Sequence, residues 1–330
     1  MTRSRVLSIA STAVVVLAGM GWAAAHTQTA SAPQVSGATH PAVTKQQVDK
    51  WMKELSNWGR WGKDDQLGTM NLITEAKHKQ AVALAKTGTV VSLAHQPPLV
   101  PKAQAQSAGA FLEIHLNLLP AAFTTEEQQL AFHGSSFTHI DALCHGDYQG
   151  KIYNGYPLKE SVTEAGCKKL GIDALRGGVV TRGVLIDIPR LRGVSHLEPG
   201  THVYQEDIEA WERRAGVTIS SGDAIFLHTG RWETGKTSGY DVSLIPWLKK
   251  RDVALVSSDG IQDVSEVEGT ILPLHHYTLV ALGANILDNA DLTALSETAA
   301  RLKRWEFLFV TAPVATPGGT GSPVNPLAIF

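Results

Sequence analysis

From residue 45 to the last residue, short apolar runs of strand length alternate with amphipathic stretches of helical length, and no long linker separates them. That interleaving constrains the fold more than any other feature, because each element must bury one face against its neighbours. Strand-like runs fall at 89–93, 111–118, 179–188, 224–228 and 253–257. Thr44 opens a helical stretch in which Val48, Trp51, Met52 and Leu55 share one face, its hydroxyl standing where an N-cap is needed. A second helical stretch covers 74–86 and stops at Gly88; others cover 206–215, 276–282 and 292–304. The mixture predicts one α/β or α+β domain over 45–330, around a single sheet and without internal repeats.

Residues 1–44 are of another kind. Arg3 and Arg5 give a basic start, residues 6–25 carry no charge, and the run closes on Ala23-Ala24-Ala25. This order predicts a secretory signal over 1–25, cleaved after Ala25, and then a flexible leader over 26–44. The expected location is the periplasm or the medium, with no stable membrane association after cleavage. An uncleaved anchor is the competing reading, since the apolar run is long enough to span a bilayer. A net charge of -2 over 330 residues exerts no pull on nucleic acid, and no zinc-finger spacing or basic run supplies one. The expected partner is a small-molecule substrate. Two cysteines, Cys144 and Cys167, are too few for a disulfide scaffold, and the sequence leaves their pairing open. The Gly-rich end, 317–326, lacks the Lys-Ser/Thr of a phosphate loop and reads as a structural or pocket-lining loop.

Ligand-type side chains are densest between His133 and His145, where His139, Asp141 and His145 form H-x-D-x-x-x-H. Imidazole nitrogen and carboxylate oxygen are the usual donors for zinc and manganese. In an extended segment alternate residues share a face, so His139 and Asp141 can grip one ion together. His145 comes within reach if the chain turns. Farther on, His276 starts an apolar helix that ends at Gly283, and Asp288 follows a short apolar run. Taken alone, that pattern also fits a capped helix followed by a strand and a loop acid.

The run Thr138-His139-Ile140-Asp141-Ala142, with His145 beyond it, resembles the H-x-G-T-H-x-D-A-P-x-H signature of the cyclase family. That family includes bacterial kynurenine formamidase and isatin hydrolase. Residues 60–74, Tyr153-Asn154-Gly155, Ser257-Ser258-Asp259 and 319–323 are also similar to the larger members, so the resemblance spans nearly all of the chain from about residue 50. It implies a single α/β domain of the swivelling β/β/α type, with a mixed, largely antiparallel central sheet flanked by helices. It also implies a dimer or tetramer.

Carried over residue by residue, the resemblance gives His139, Asp141, His276 and Asp288 as ligands of a divalent ion, zinc or manganese, and His145 as acid/base. Trp58, Trp61 and Tyr153 become candidates to line a substrate pocket, although core packing suits each of them equally. Three departures stand out. Ser135 replaces the first histidine of the small members, which makes a single ion the expectation, with His133 as a substitute donor if the loop shifts by two residues. Leu143-Cys144 replaces the usual proline segment, and Asp288 replaces a glutamate.

The reading that follows is metal-dependent hydrolysis of a carbon–nitrogen or ester bond in a small amide, cyclic amide or lactone. Metal-activated water would attack, with His145 moving the proton. A non-catalytic exported binding protein, favoured by Ser135, and a dehydrating cyclase working toward ring closure are the alternatives.

Overall fold

The computed structural model describes residues 40–95, 99, 101–104, 111–119 and 123–330. The expected signal over 1–25 and the leader up to residue 39 lie outside them. Among the described residues, nine strands make one mixed sheet. In chain order they are β1 (Val90–Ser92), β2 (His139–Asp141), β3 (Val179–Asp187), β4 (Ala224–His228), β5 (Leu255–Ser258), β6 (Asn285–Asp288), β7 (Glu306–Thr311), β8 (Gly321–Pro323) and β9 (Leu327–Ile329). Their order across the sheet is β1-β9-β7-β3-β4-β5-β6-β2-β8. The junctions joining β3, β4, β5 and β6 are parallel and the other five are antiparallel. The sheet is thus mixed and largely antiparallel, as the resemblance implies, with its parallel part at the centre. Parallel strands are covered on both faces and therefore read as continuous apolar runs; Ala224 to Leu227 are fully buried, and so is Val184 to Ile186.

Helices α1 (Lys45–Glu54), α2 (Glu75–Val82), α3 (Ile188–Arg192), α4 (Gln205–Ala215), α5 (Arg231–Thr234), α6 (Ile245–Arg251), α7 (Pro273–His276) and α8 (Thr293–Leu302) surround this sheet. A π-helical turn, Tyr277–Leu282, continues α7. Thr44 caps α1 through Gln47 N, and Thr74 caps α2 through Lys77 N. The second helix stops at Val82, short of the expected residue 86. It packs on β3 and β7, and α4 also packs on β3. Between α2 and β3, Asp223 is wholly buried and pairs with both Lys77 (2.8 Å) and Arg182 (3.2 Å). No helix among the described residues is long and apolar enough to cross a membrane.

Outside the sheet, Phe111–Leu118 pairs with Thr124–Ala131 in a separate two-stranded ladder. Its second strand was not expected: the polar run Thr124 to Gln129 is exposed and carries no apolar alternation.

What matters for chemistry is the edge where the parallel strands end. β3, β4 and β6 finish there on Asp187, His228 and Asp288, and Asp259 follows β5. Ligands of open α/β sheets gather outside such carboxyl ends. β2 runs antiparallel to β6 in a register that sets His139 opposite Asp288, while β8 sets Gly321 opposite Asp141.

Candidate metal centre

His139 and Asp141 are alternate residues of β2 and are both almost fully buried. Nδ1–H of His139 donates to the Phe137 carbonyl (2.8 Å). That bond fixes the tautomer and leaves the Nε2 lone pair free, the arrangement that metal-binding histidines use. Nε2 lies 3.4 Å from Asp141 Oδ1 and 4.0 Å from Asp288 Oδ2. Burial alone would raise the Asp141 carboxyl, yet the imidazoles of His145, His133 and His139 hold it well below the usual carboxylate range.

His133 joins this group. Its Nδ1 is 3.2 Å from Asp141 Oδ1, and its Nε2 is hydrogen-bonded to Thr320 Oγ1 (3.0 Å) in the Gly-rich C-terminal loop. The loop lines the centre and also braces it, since the Thr320 carbonyl accepts Ala142 N. Ser135 is held outside. Arg231 Nη2 donates to the Ser135 carbonyl (2.8 Å), and Asn289 Nδ2 donates to the carbonyls of Gly134 (2.7 Å) and Phe137 (3.1 Å). These anchors set the turn after His133 so that this imidazole, and not the position of Ser135, faces Asp141.

At α7 the structure brings the neighbour of the residue taken from the family spacing to the centre. His275, not His276, meets Asp288: its Nε2 lies 3.2 Å from Asp288 Oδ2, and its Nδ1 lies 2.5 Å from Asp263 Oδ2. Asp263 also accepts Leu274 N and His275 N, which fixes the rotation of the helix start. Burial acts to lower the pKa of His275, but Asp288 and Asp263 outweigh it and the pKa is well raised. His276 is half-buried one position on, with its ring 6.0 Å from that of Tyr148. Gln262, which no sequence pattern singles out, donates from Nε2 to Asp288 Oδ1 (2.9 Å).

Two donor sets therefore share one carboxylate, His133/His139/Asp141 and Asp141/His275/Asp288, and within each the donor atoms lie within 4.8 Å of one another. His133 Nδ1 and Asp141 Oδ1 are buried and, although 3.2 Å apart, are not aligned for a hydrogen bond, so neither has a partner. Unmet buried polar atoms cost free energy unless something satisfies them. A divalent cation fits these residues. His145 borders the group with its ring stacked on His133 (centroids 4.0 Å apart). One side of it reaches solvent, yet crowding by neighbouring atoms lowers its pKa against the pull of Asp141. Cys144, beside it, is joined to Cys167, which rules out a thiolate ligand.

A family model described as "Putative cyclase" matches residues 69–262, more than half of the chain. The chain belongs to the cyclase family of metal-dependent hydrolases. The match includes the His133–His145 run and stops before His275 and Asp288. A crystal structure of a novel cyclase is 28% identical to this chain, covering 84% of it and all of that protein, with a TM-score of 0.74. Isatin hydrolase A from Ralstonia solanacearum is 18% identical over 73% of this chain and 91% of its own (TM-score 0.51). Isatin hydrolase A from Labrenzia aggregata, bound to benzyl benzoate, is 18% identical over 76% and 97% (TM-score 0.53). At that identity the likeness is one of fold. No curated protein matches the sequence.

The aromatic candidates of this cyclase-family chain make their hydrogen bonds and ring contacts with residues other than the metal donors. Tyr153 is wholly buried: its ring packs on Gly283, where a Cβ would come within 2.3 Å of it, and its hydroxyl donates to Asp65. Asp65 also accepts Leu67 N, Gly68 N and Asn71 Nδ2, so the segment that resembles the larger members is a structural knot. Trp58 donates from Nε1 to the Val280 carbonyl and lines a cleft of about 400 Å³ with Met52, Tyr148 and Val280, which contains no donor of the cluster. Trp61 is half-buried under the Arg60 guanidinium.

Proposed function

We propose that this chain is an exported hydrolase that holds zinc or manganese and cleaves a carbon–nitrogen or ester bond in a small amide, cyclic amide or lactone. The observation that carries this reading is the pair of donor sets built on Asp141, with unmet buried donor atoms between them and His145 at their border. His133, His139 and Asp141 would hold the ion on one side. Asp141, His275 and Asp288 form the second position, so Ser135 does not by itself limit the chain to one ion. When bound, such an ion polarises a carbonyl and brings the pKa of water to about 7.

The chain's own residues do the rest. His139 keeps its tautomer through the Phe137 carbonyl, and Asp263 does the same for His275. The depressed pKa of His145 leaves its imidazole neutral near pH 7, ready to take a proton on a ring nitrogen and return it to the departing group. Export is supported by the basic-apolar-small order of residues 1–25 and by the Cys144–Cys167 bond, since disulfides persist in oxidising compartments.

Elemental analysis of purified protein, followed by a screen of cyclic amides, lactones and N-formyl amines, tests the proposal. At least one zinc or manganese per chain is expected, with turnover that chelation removes and the metal restores. Protein that holds no metal and turns over none of these compounds would favour the non-catalytic binder.

A further inference from the structure

Along the same sheet edge, at the ends of β3 and β4, a second His–Asp pair opens on a cleft that the proposed hydrolysis does not use. Asp187 is buried and accepts four hydrogen bonds: from Arg190 N (3.0 Å) and Nε (3.1 Å), from Ser296 Oγ (2.5 Å) and from His228 Nδ1 (3.3 Å). His228 is only 7% exposed. With Nδ1–H given to Asp187, its Nε2 has no hydrogen-bond partner among the described residues. The ring lines an open cleft of about 420 Å³, with Arg190, Arg214, Glu233 and Glu297 among its other lining residues. That volume is within the usual range for small-molecule sites, roughly 300–1,000 Å³.

The charges of the cleft select its ligand. Asp187 is already satisfied by its four donors and calls for no cation. Arg190 is committed to Asp187 and Ser296, and Glu233 lies 3.1 Å from His196. Arg214 and Glu297 are exposed, and neither has an ion pair among the described residues; Arg214 lines the cleft together with His228. With both ring nitrogens protonated, His228 turns an Nε2–H toward the cleft, and that donor together with the Arg214 guanidinium suits an acceptor-only, negatively charged group.

We propose that this cleft is a second ligand site, separate from the metal centre, which takes a small oxyanion, a carboxylate or a phosphate, on His228 Nε2–H with Arg214 closing the rim. Burial acts to lower the pKa of His228, but the Asp187 hydrogen bond and the charge of Asp259 reverse this, so the ring keeps its second proton to higher pH. The site does not depend on the metal or on the hydrolysis.

Histidine-selective NMR of the full chain tests it, with inorganic phosphate and acetate titrated separately against sodium chloride of equal ionic strength. The His228 ring signal, assigned from its absence in His228→Asn, is expected to shift saturably with at least one of the two salts, and which one identifies the oxyanion. Arg214→Glu, an exposed position where folding is not at risk, is expected to weaken binding about tenfold, the value of one charge-assisted hydrogen bond. His139→Ala is expected to leave the titration unchanged. A His228 signal that neither salt moves overturns the proposal. So does a response lost in His139→Ala, which would place the anion at the metal centre, or an affinity unchanged by Arg214→Glu.

Discussion

At the β6 end of the sheet edge, Asp141 is buried among three imidazoles, and one of its oxygens lacks a hydrogen bond. At the β3 end, Asp187 is equally buried, beside an imidazole, a guanidinium and a hydroxyl, and it accepts four hydrogen bonds. Residue types alone would present both as His–Asp sites. Their inventories of hydrogen bonds separate them. A buried carboxylate with unfilled valence among imidazoles that use their other nitrogen elsewhere calls for a cation. A filled one holds its histidine in a fixed tautomer and turns that ring toward something else.

The largest effects should divide along this line. His139→Ala or Asp141→Ala is expected to strip the metal and lower turnover by more than about a hundredfold, since the loss of partners behind a ligand already costs ten- to a hundredfold. His228→Asn should leave metal content unchanged. Elemental analysis of the three variants beside the parent checks this. A His139→Ala protein with full metal and turnover would move the centre elsewhere and dissolve the contrast.

Next in size comes the border of the metal centre. His145 is stacked on His133 and belongs to neither donor set. Its replacement by Ala should keep the metal, while turnover falls about a hundred- to ten-thousandfold if general acid–base catalysis is its work. Metal lost in step with turnover would make His145 a ligand instead.

How much of this was legible in the sequence differs by element. The central strands could be read because strands covered on both faces must be apolar throughout, as in Ala224 to Leu227. His139 and Asp141 could be read because a strand's period of two puts them on one side. The choice between His275 and His276 could not. On a helix, one residue is a rotation of about 100°, and here that rotation is set by Asp263, a partner twelve residues before His275 that no local pattern connects to it. His133 was visible only as a substitute, because its entry into the centre depends on Arg231 and Asn289, 98 and 156 residues away. Tyr153 was open between two readings for a related reason: an aromatic ring looks the same in sequence whether it lines a pocket or fills a core, and here it is wholly buried.

A smaller effect concerns stability at the β3 end. Asp187 is held down to about 2 from an ordinary 3.8: burial works against this, but the hydrogen bond and charge of His228 and the bonds from Ser296 and Arg190 N prevail. A carboxyl depressed on folding stabilises the fold above pH 3.8, and that contribution disappears as pH falls through about 2. His228 is raised on folding, so its share is complete below pH 6.5 and is lost as pH rises through its folded-state value. Asp187→Asn should therefore destabilise most between about pH 4 and 6.5, by about 2 kcal/mol, with the gap narrowing on both sides. Denaturant midpoints of parent and variant across pH measure it. A gap independent of pH would mean that Asp187 acts through shape rather than charge.

The smallest expected effect is the sharpest test of the metal centre. Family resemblance makes position 135 the natural home of an imidazole, and Ser135→His restores it. In this chain, however, the carbonyl of residue 135 is tied to Arg231, and its neighbours' carbonyls are tied to Asn289. The side chain at 135 is on an exposed turn, while His133 Nδ1 already lies 3.2 Å from Asp141. Ser135→His should then change metal affinity by less than about twofold, as for an ordinary surface substitution. His133→Ala should weaken it by at least about tenfold. Metal titrations of the two single variants and of the double variant decide the matter. If the double variant regains the parent's affinity, the turn is free to exchange one donor for the other, and the Arg231–Asn289 anchors do not choose between them. If it binds no better than His133→Ala, the anchors fix His133 as the donor, and the two-residue shift from the family pattern is built into this chain's turn.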